Sequence, residues 1–247
     1  MKKQFACVLP LVLLLCACTR AGEAPALDFP QTQWDMNAQG VMEAWGVTPD
    51  EVQNYSAEGR AVSFALAGCT VFGAQAESVT FSFINLALDE SGDIQQFDEA
   101  AVAGEEVLAG VTVQYPQGTD TDKLAAALKA QYGEPLPELT LYPLYNALGA
   151  GMAAEEKQAS GTQRLWGGAT VASTLSGQDT AFFRQNWPVY LPGMETEQDW
   201  EQFSQNGRMV TLVADLNETA PLLQFDAYNL AVYRQLVARL GGENTAA

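Results

Sequence analysis

Between Val62 and Tyr115 apolar side chains recur at every second position, the period of a strand with one face turned to a core. Val62, Phe64 and Leu66 alternate with Ala61, Ser63 and Ala65. Val79, Phe81 and Phe83 alternate with Ser78, Thr80 and Ser82, in a run that continues through Leu86 and Leu88. Val111, Val113 and Tyr115 keep the same step in Leu108 to Tyr115, and Cys69 to Phe72, after Gly68, reads as a short partner strand. A parallel pair needs a crossover of a dozen or more residues, so strands joined by links as short as those between 66 and 79 pair antiparallel. The chain is thereby committed to antiparallel sheet, and the remaining elements must cover it.

Helical spacing appears in four places. Val41, Met42, Ala44 and Trp45 predict a short helix ending at Gly46. Thr48-Pro49-Asp50-Glu51 has the pattern of a capping box, which predicts a second short helix with Val52 and Tyr55 on one side. Asp120 to Tyr132 carries Leu124, Ala127, Leu128 and Gln131 at helical intervals, with Gly133 and Pro135 to stop it. Ala227 to Leu240 follows an N-cap at Asp226, with Leu230, Tyr233, Val237 and Leu240 as its stripe. Strands are expected near Arg164 to Leu175, Ala181 to Tyr190 and Arg208 to Leu216, and a helical turn near Leu144 to Leu148. The fold class is α+β: antiparallel sheet meanders with packed helices, in two halves that each run strands then helix. We place the first half at 34–152, a solvent loop at 153–162 and the second half at 163–247, within one continuous globular unit.

Composition narrows the chemistry. Twelve Lys and Arg stand against 30 Asp and Glu, and there is no histidine. A charge of −18 leaves few cations to replace the counterions of nucleic acid, so no nucleic-acid partner is expected. Absence of His removes Ser-His-Asp and Cys-His nucleophile pairs and HExxH zinc sites. There is no G-x-S-x-G, P-loop or G-x-G-x-x-G turn, and no cofactor is expected. Gly167-Gly168 reads as a bend or bulge in a strand rather than a phosphate cradle.

The amino terminus carries the most specific pattern. Lys2-Lys3 precedes the apolar run Phe5 to Leu15, which is shorter than the roughly 20 residues that span a bilayer as a helix, and Thr19-Arg20 closes it. The segment ends in Leu15-Cys16-Ala17-Cys18, which resembles the lipobox of bacterial lipoproteins. That resemblance implies removal of residues 1–17, acylation of Cys18 and residence at the extracytoplasmic side of a cell membrane, with the membrane itself as a partner through the lipid. Cys16 is the alternative acceptor, but it would put Leu15 where a small residue is wanted. Loss of Lys2 and Lys3 takes the body to 10 cations against 30 acids, or −20. Residues 18–33 read as a tether, and Cys69 as a small buried hydrophobe with no disulfide partner. The order of elements over 34–115, two short helices then a meander, resembles the small lipoproteins of outer-membrane assembly and the β-lactamase-inhibitor-like fold. This likeness assigns no functional residue.

Four groups remain to be weighed as candidate sites. Asp89, Glu90 and Asp93 supply oxygen ligands of the kind calcium takes, though without the full Asp-x-Asp-x-Asp-Gly pattern. Thr119 to Asp122 reads as the start of the following helix, and the acids at 195–201 surround Trp200 with Thr196 and Asp199 as a cap. Trp187, Tyr190 and Trp200 are the aromatics best placed to bind a ligand or partner, and their acidic setting favours a cationic one. Three functions are expected from these features. The first is a lipid-anchored, non-catalytic domain that binds an envelope protein, peptide or glycan. The alternatives are a glycan hydrolase using two carboxylates and a calcium-stabilised adhesion or assembly module.

Overall fold

A computed structural model describes residues 26–58, 61–85, 106–136, 161–175, 181 and 196–240. Its centre is a seven-stranded sheet in the order β1-β2-β5-β6-β9-β8-β7, every neighbour antiparallel. The strands are β1 (Gln53–Glu58), β2 (Ala61–Ala67), β5 (Ser78–Ile84), β6 (Val107–Gln114), β7 (Gln163–Gly167), β8 (Thr211–Asp215) and β9 (Leu222–Asp226). A separate hairpin, β3 (Thr70–Val71) and β4 (Ala74–Gln75), is inserted between β2 and β5. Two meanders, one from each side of residues 153–162, therefore meet at the β6–β9 pair and form one sheet.

The alternating pattern of the first half folds as expected. In β5, Val79, Phe81 and Phe83 are buried while Ser78, Thr80 and Ser82 are half-exposed on the other face. Helix α1 (Ala38–Trp45) is capped by Asn37, whose side chain accepts the Gly40 N–H at 2.8 Å. It ends in the Schellman arrangement: Val47 N–H reaches Met42 O and Gly46 N–H reaches Glu43 O. Gly46 sits at φ +67, where a Cβ would be strained. Helix α2 (Thr121–Tyr132) starts at Asp120, whose carboxylate accepts the Lys123 N–H, and buries Leu124, Leu128 and Tyr132. Tyr132 takes the place expected for Gln131, which is exposed.

Four expectations need correction. The box at Thr48 forms, with Glu51 accepting from both the backbone and the hydroxyl of Thr48 at 2.8 and 2.7 Å, but it closes a single turn rather than a helix. The next residues become edge strand β1, bulged at Asn54 (φ +52) and paired with β2 through Ser56–Ser63 and Ala57–Val62. A lone turn is a costly helix nucleus, and Tyr55, one of its two apolar residues, is 57% exposed. Cys69 to Phe72 contributes β3 to the side hairpin rather than to the main sheet, turning at Phe72 and Gly73, both at positive φ. Cys69 itself is half-buried, its thiol raised in pKa by burial. The strand expected over 164–175 stops at Gly167, and Thr170 then caps the short helix α3 (Val171–Thr174). Finally, the described part of the 18–33 stretch is packed: Leu27, Phe29 and Thr32 are buried, so a free tether ends before Leu27.

Strand β9 has no counterpart among the expected strands, although it lies inside the sheet between β6 and β8. Its sequence, Leu222-Leu-Gln-Phe-Asp226, offers only Leu223 and Phe225 as an alternating pair before the helix cap begins. The expected helical turn at 144–148 and the strand at 181–190 lie outside the described residues, except Ala181, which is helical.

Each face of the sheet carries its own core. The larger holds Phe29, Phe64, Phe81, Phe83, Phe225, Trp34 and Trp166 under α1, α2 and the 26–36 segment. Phe29 stands 5.2 Å from Phe225 and 6.0 Å from Phe81, both edge to face. Glu106, also buried, accepts the Ala38 N–H at the start of α1. The smaller core holds Ile84, Ala109, Val171, Trp200, Phe203, Met209, Tyr228, Ala231 and Val232. It is covered by α4 (Glu197–Asn206) and α5 (Tyr228–Leu240). Thus α2 and α5, which close the two halves, lie on opposite faces. In α5 the buried side is Tyr228, Ala231 and Val232, with Leu230 and Tyr233 at its margin rather than at its centre.

Candidate functional site

The described residues bring acids together at one place, where the sequence pattern marks only a helix start. After β6 the chain turns at Pro116 to Thr119, with Thr119 donating through both N–H and hydroxyl to Pro116 O. Asp120 then caps α2 and pairs with Lys123 at 2.7 Å. Opposite stands the β8–β9 turn, shaped by Asn217, whose side-chain oxygen accepts from the N–H groups of Thr219 and Ala220. Tyr115 N–H to Pro221 O and Gly118 N–H to Glu218 O join the two turns. Between them lies an open hollow of about 390 Å³ edged by Asp120, Asp122, Glu218, Thr119 and Thr219. Lys123 holds the Asp120 carboxyl below its usual range through a hydrogen bond and its charge. This acid is ionised and solvated near neutrality, which suits attraction of cationic groups and not proton transfer.

A carboxyl with the opposite character lies on the smaller-core side. Asp226 ends β9 between Gly110 of β6 and Thr211 of β8, and is 9% exposed. Burial pushes its pKa up to about 7, against the pull of the Tyr228 N–H, which its side chain accepts at 2.9 Å. Neither influence is a second carboxylate. A glycosidase needs two acids facing each other across a cleft, and that pairing is not what tunes Asp226. Its neighbour Asn229 donates to Arg208 O at 2.7 Å and leaves its own side-chain oxygen buried without a partner.

Of the aromatic candidates Trp187, Tyr190 and Trp200, Trp200 alone falls among the described residues, and it corrects the expectation. It is 8% exposed and packs against Phe203 at 5.7 Å between ring centres. Spacing of three along α4 turns both rings onto the smaller core, which leaves Glu197 and Glu201 exposed. Trp200 is a core residue. Thr196 takes the N-cap position immediately before α4. Cys18, Asp89, Glu90, Asp93, Trp187 and Tyr190 lie outside the described residues. Among the described residues no group of three or more Cys, Asp or Glu is placed to hold a metal ion, and no helix is long and apolar enough to cross a membrane. The helix expected to follow an N-cap at Asp226 starts one residue later, at Tyr228, and Asp226 fixes its start from two residues before by accepting the Tyr228 N–H. Its burial followed from β9, the strand that went unread.

Comparison of the chain with protein-family models, curated proteins and solved structures finds no match, and the element-order likeness of residues 34–115 lacks its second helix.

Proposed function

We propose that this chain is a lipid-anchored extracytoplasmic protein, acylated at Cys18, whose body binds a protein, peptide or glycan of the cell envelope without catalysing a reaction. The observation that carries the reading is Leu15-Cys16-Ala17-Cys18 placed directly behind a cationic start and a short apolar run. Two acyl chains hold a protein at a bilayer without a basic patch, so a body of −20 is compatible with membrane residence. The absence of histidine from the sequence supports binding over acyl-transfer or zinc chemistry. The exposed acids at Asp120, Asp122 and Glu218 suit a partner with cationic groups. Metabolic labelling with a tagged fatty acid tests the anchor: label enters the protein and is lost in Cys18→Ala. Label that persists in Cys18→Ala would remove the assignment.

A further inference from the structure

The N-terminal chain enters the folded body at a fixed point. Leu27 and Phe29 are 2% and 1% exposed. Trp34 Nε1 donates to Leu27 O at 3.1 Å, and the Tyr132 hydroxyl donates to Asp28 O at 2.8 Å. Burial, with the Asp28 carboxylate nearby, raises the Tyr132 phenol far above its ordinary range and keeps that donor protonated. The entry point is thereby clamped to the C-terminal end of α2.

Nine residue steps separate Cys18 from Leu27. Fully extended they reach about 32 Å at most. A globular body of this length has a radius of gyration of about 17 Å and is therefore about 45 Å across. The link is shorter than the body is wide, so an anchored body cannot turn its entry point to the far side. The 12 residues of α2 hold its two ends about 18 Å apart. Charge points the same way. Near the entry point Lys129 pairs with Glu134 at 2.6 Å and leaves exposed Asp28, while at the other end of α2 Lys123 pairs with Asp120 and leaves both Asp122 and Glu218, acids that anionic lipid repels.

We infer that the surface around Asp28, Tyr132 and Glu134 is the face this body turns to the lipid bilayer, and that the start of α2 with Glu218 faces outward. The inference rests on the anchoring proposed above. Full-length lipidated protein carrying Cys69→Ser with either Glu134→Cys or Glu218→Cys is labelled with a fluorophore and reconstituted in phosphatidylcholine vesicles bearing a head-group nitroxide. Quenching is expected to be about twofold or more stronger for Glu134→Cys, and the contrast to vanish when about thirty Gly and Ser residues are inserted after Arg20. Equal quenching with the natural link, or stronger quenching for Glu218→Cys, overturns the orientation. Tagged fatty acid is followed in the same preparations. Failure of the protein to take it up, or uptake that survives Cys18→Ala, overturns the anchor instead and takes the orientation with it.

Discussion

On the face of the sheet under α1 and α2, buried polar groups reach carbonyls. Tyr115 donates to Val71, Tyr132 to Asp28, Trp34 to Leu27 and Thr32 to Phe29, while the buried Glu106 carboxylate accepts the Ala38 N–H and the Trp45 indole N–H has no partner. Under α4 and α5 the balance differs. Asp226 is a buried acid held by one N–H, and the Asn229 carbonyl oxygen has no partner. The contrast follows from what each face uses as cover. The first is sealed by aromatic rings and by neutral donors, with the buried Glu106 carboxylate accepting at the start of α1. The second is closed by a helix whose start is fixed by a carboxyl, so its stability must depend on whether that carboxyl holds a proton. The physical result is one core covered mainly by rings and neutral donors, and one flank whose cover rests on a carboxyl raised by burial.

The sharpest way to break this comparison is to damage the aromatic face. Phe81 touches Phe29, Trp45 and Phe64, and Phe81→Ala should cost about 4 kcal/mol, equally at pH 5 and pH 8 in urea unfolding. The other face should answer to pH. Asp226 is raised from 3.8 to about 7, so between those values the folded chain keeps a proton that the unfolded chain has released. Stability must therefore fall as pH rises through that window and level off above it, by up to about 4 kcal/mol. Asp226→Asn keeps an oxygen for the Tyr228 N–H, so it should flatten the slope and leave the variant more stable than wild type at pH 8. A slope unchanged in that variant would place the pH sensitivity elsewhere. Gly207→Ala should cost about 2 kcal/mol, because a Cβ would stand 2.6 Å from Phe203 O and 2.8 Å from its ring. Removal of one neutral hydrogen bond on the sealed face is the smallest change: Tyr132→Phe should lower stability by about 1 kcal/mol, with no pH dependence.

The same two faces explain what could be read in advance. The first announces itself because strands β2, β5 and β6 alternate over long runs, and because Asp120, Gly133 and Gly46 mark helix ends by local chemistry. The second is assembled from short pieces. β9 shows two alternating apolar residues, and α3 is four residues long. Trp200 looks available in a run of acids until Phe203, one turn on, shows which side of α4 faces inward. The Thr48 box illustrates the opposite error, a local signal that forms as written while sheet pairing decides the residues after it. Of the site, the acidic hollow combines Asp120 and Asp122 with Glu218, nearly a hundred residues along the chain, and only the β6–β9 pairing brings those turns together.

Everything said of function turns on the state of residue 18. The intact mass of the protein extracted from membranes by detergent measures it directly. The account predicts a chain that begins at Cys18 and is heavier than its sequence by a diacylglyceryl group. An unmodified chain, or one beginning at another residue, would contradict it.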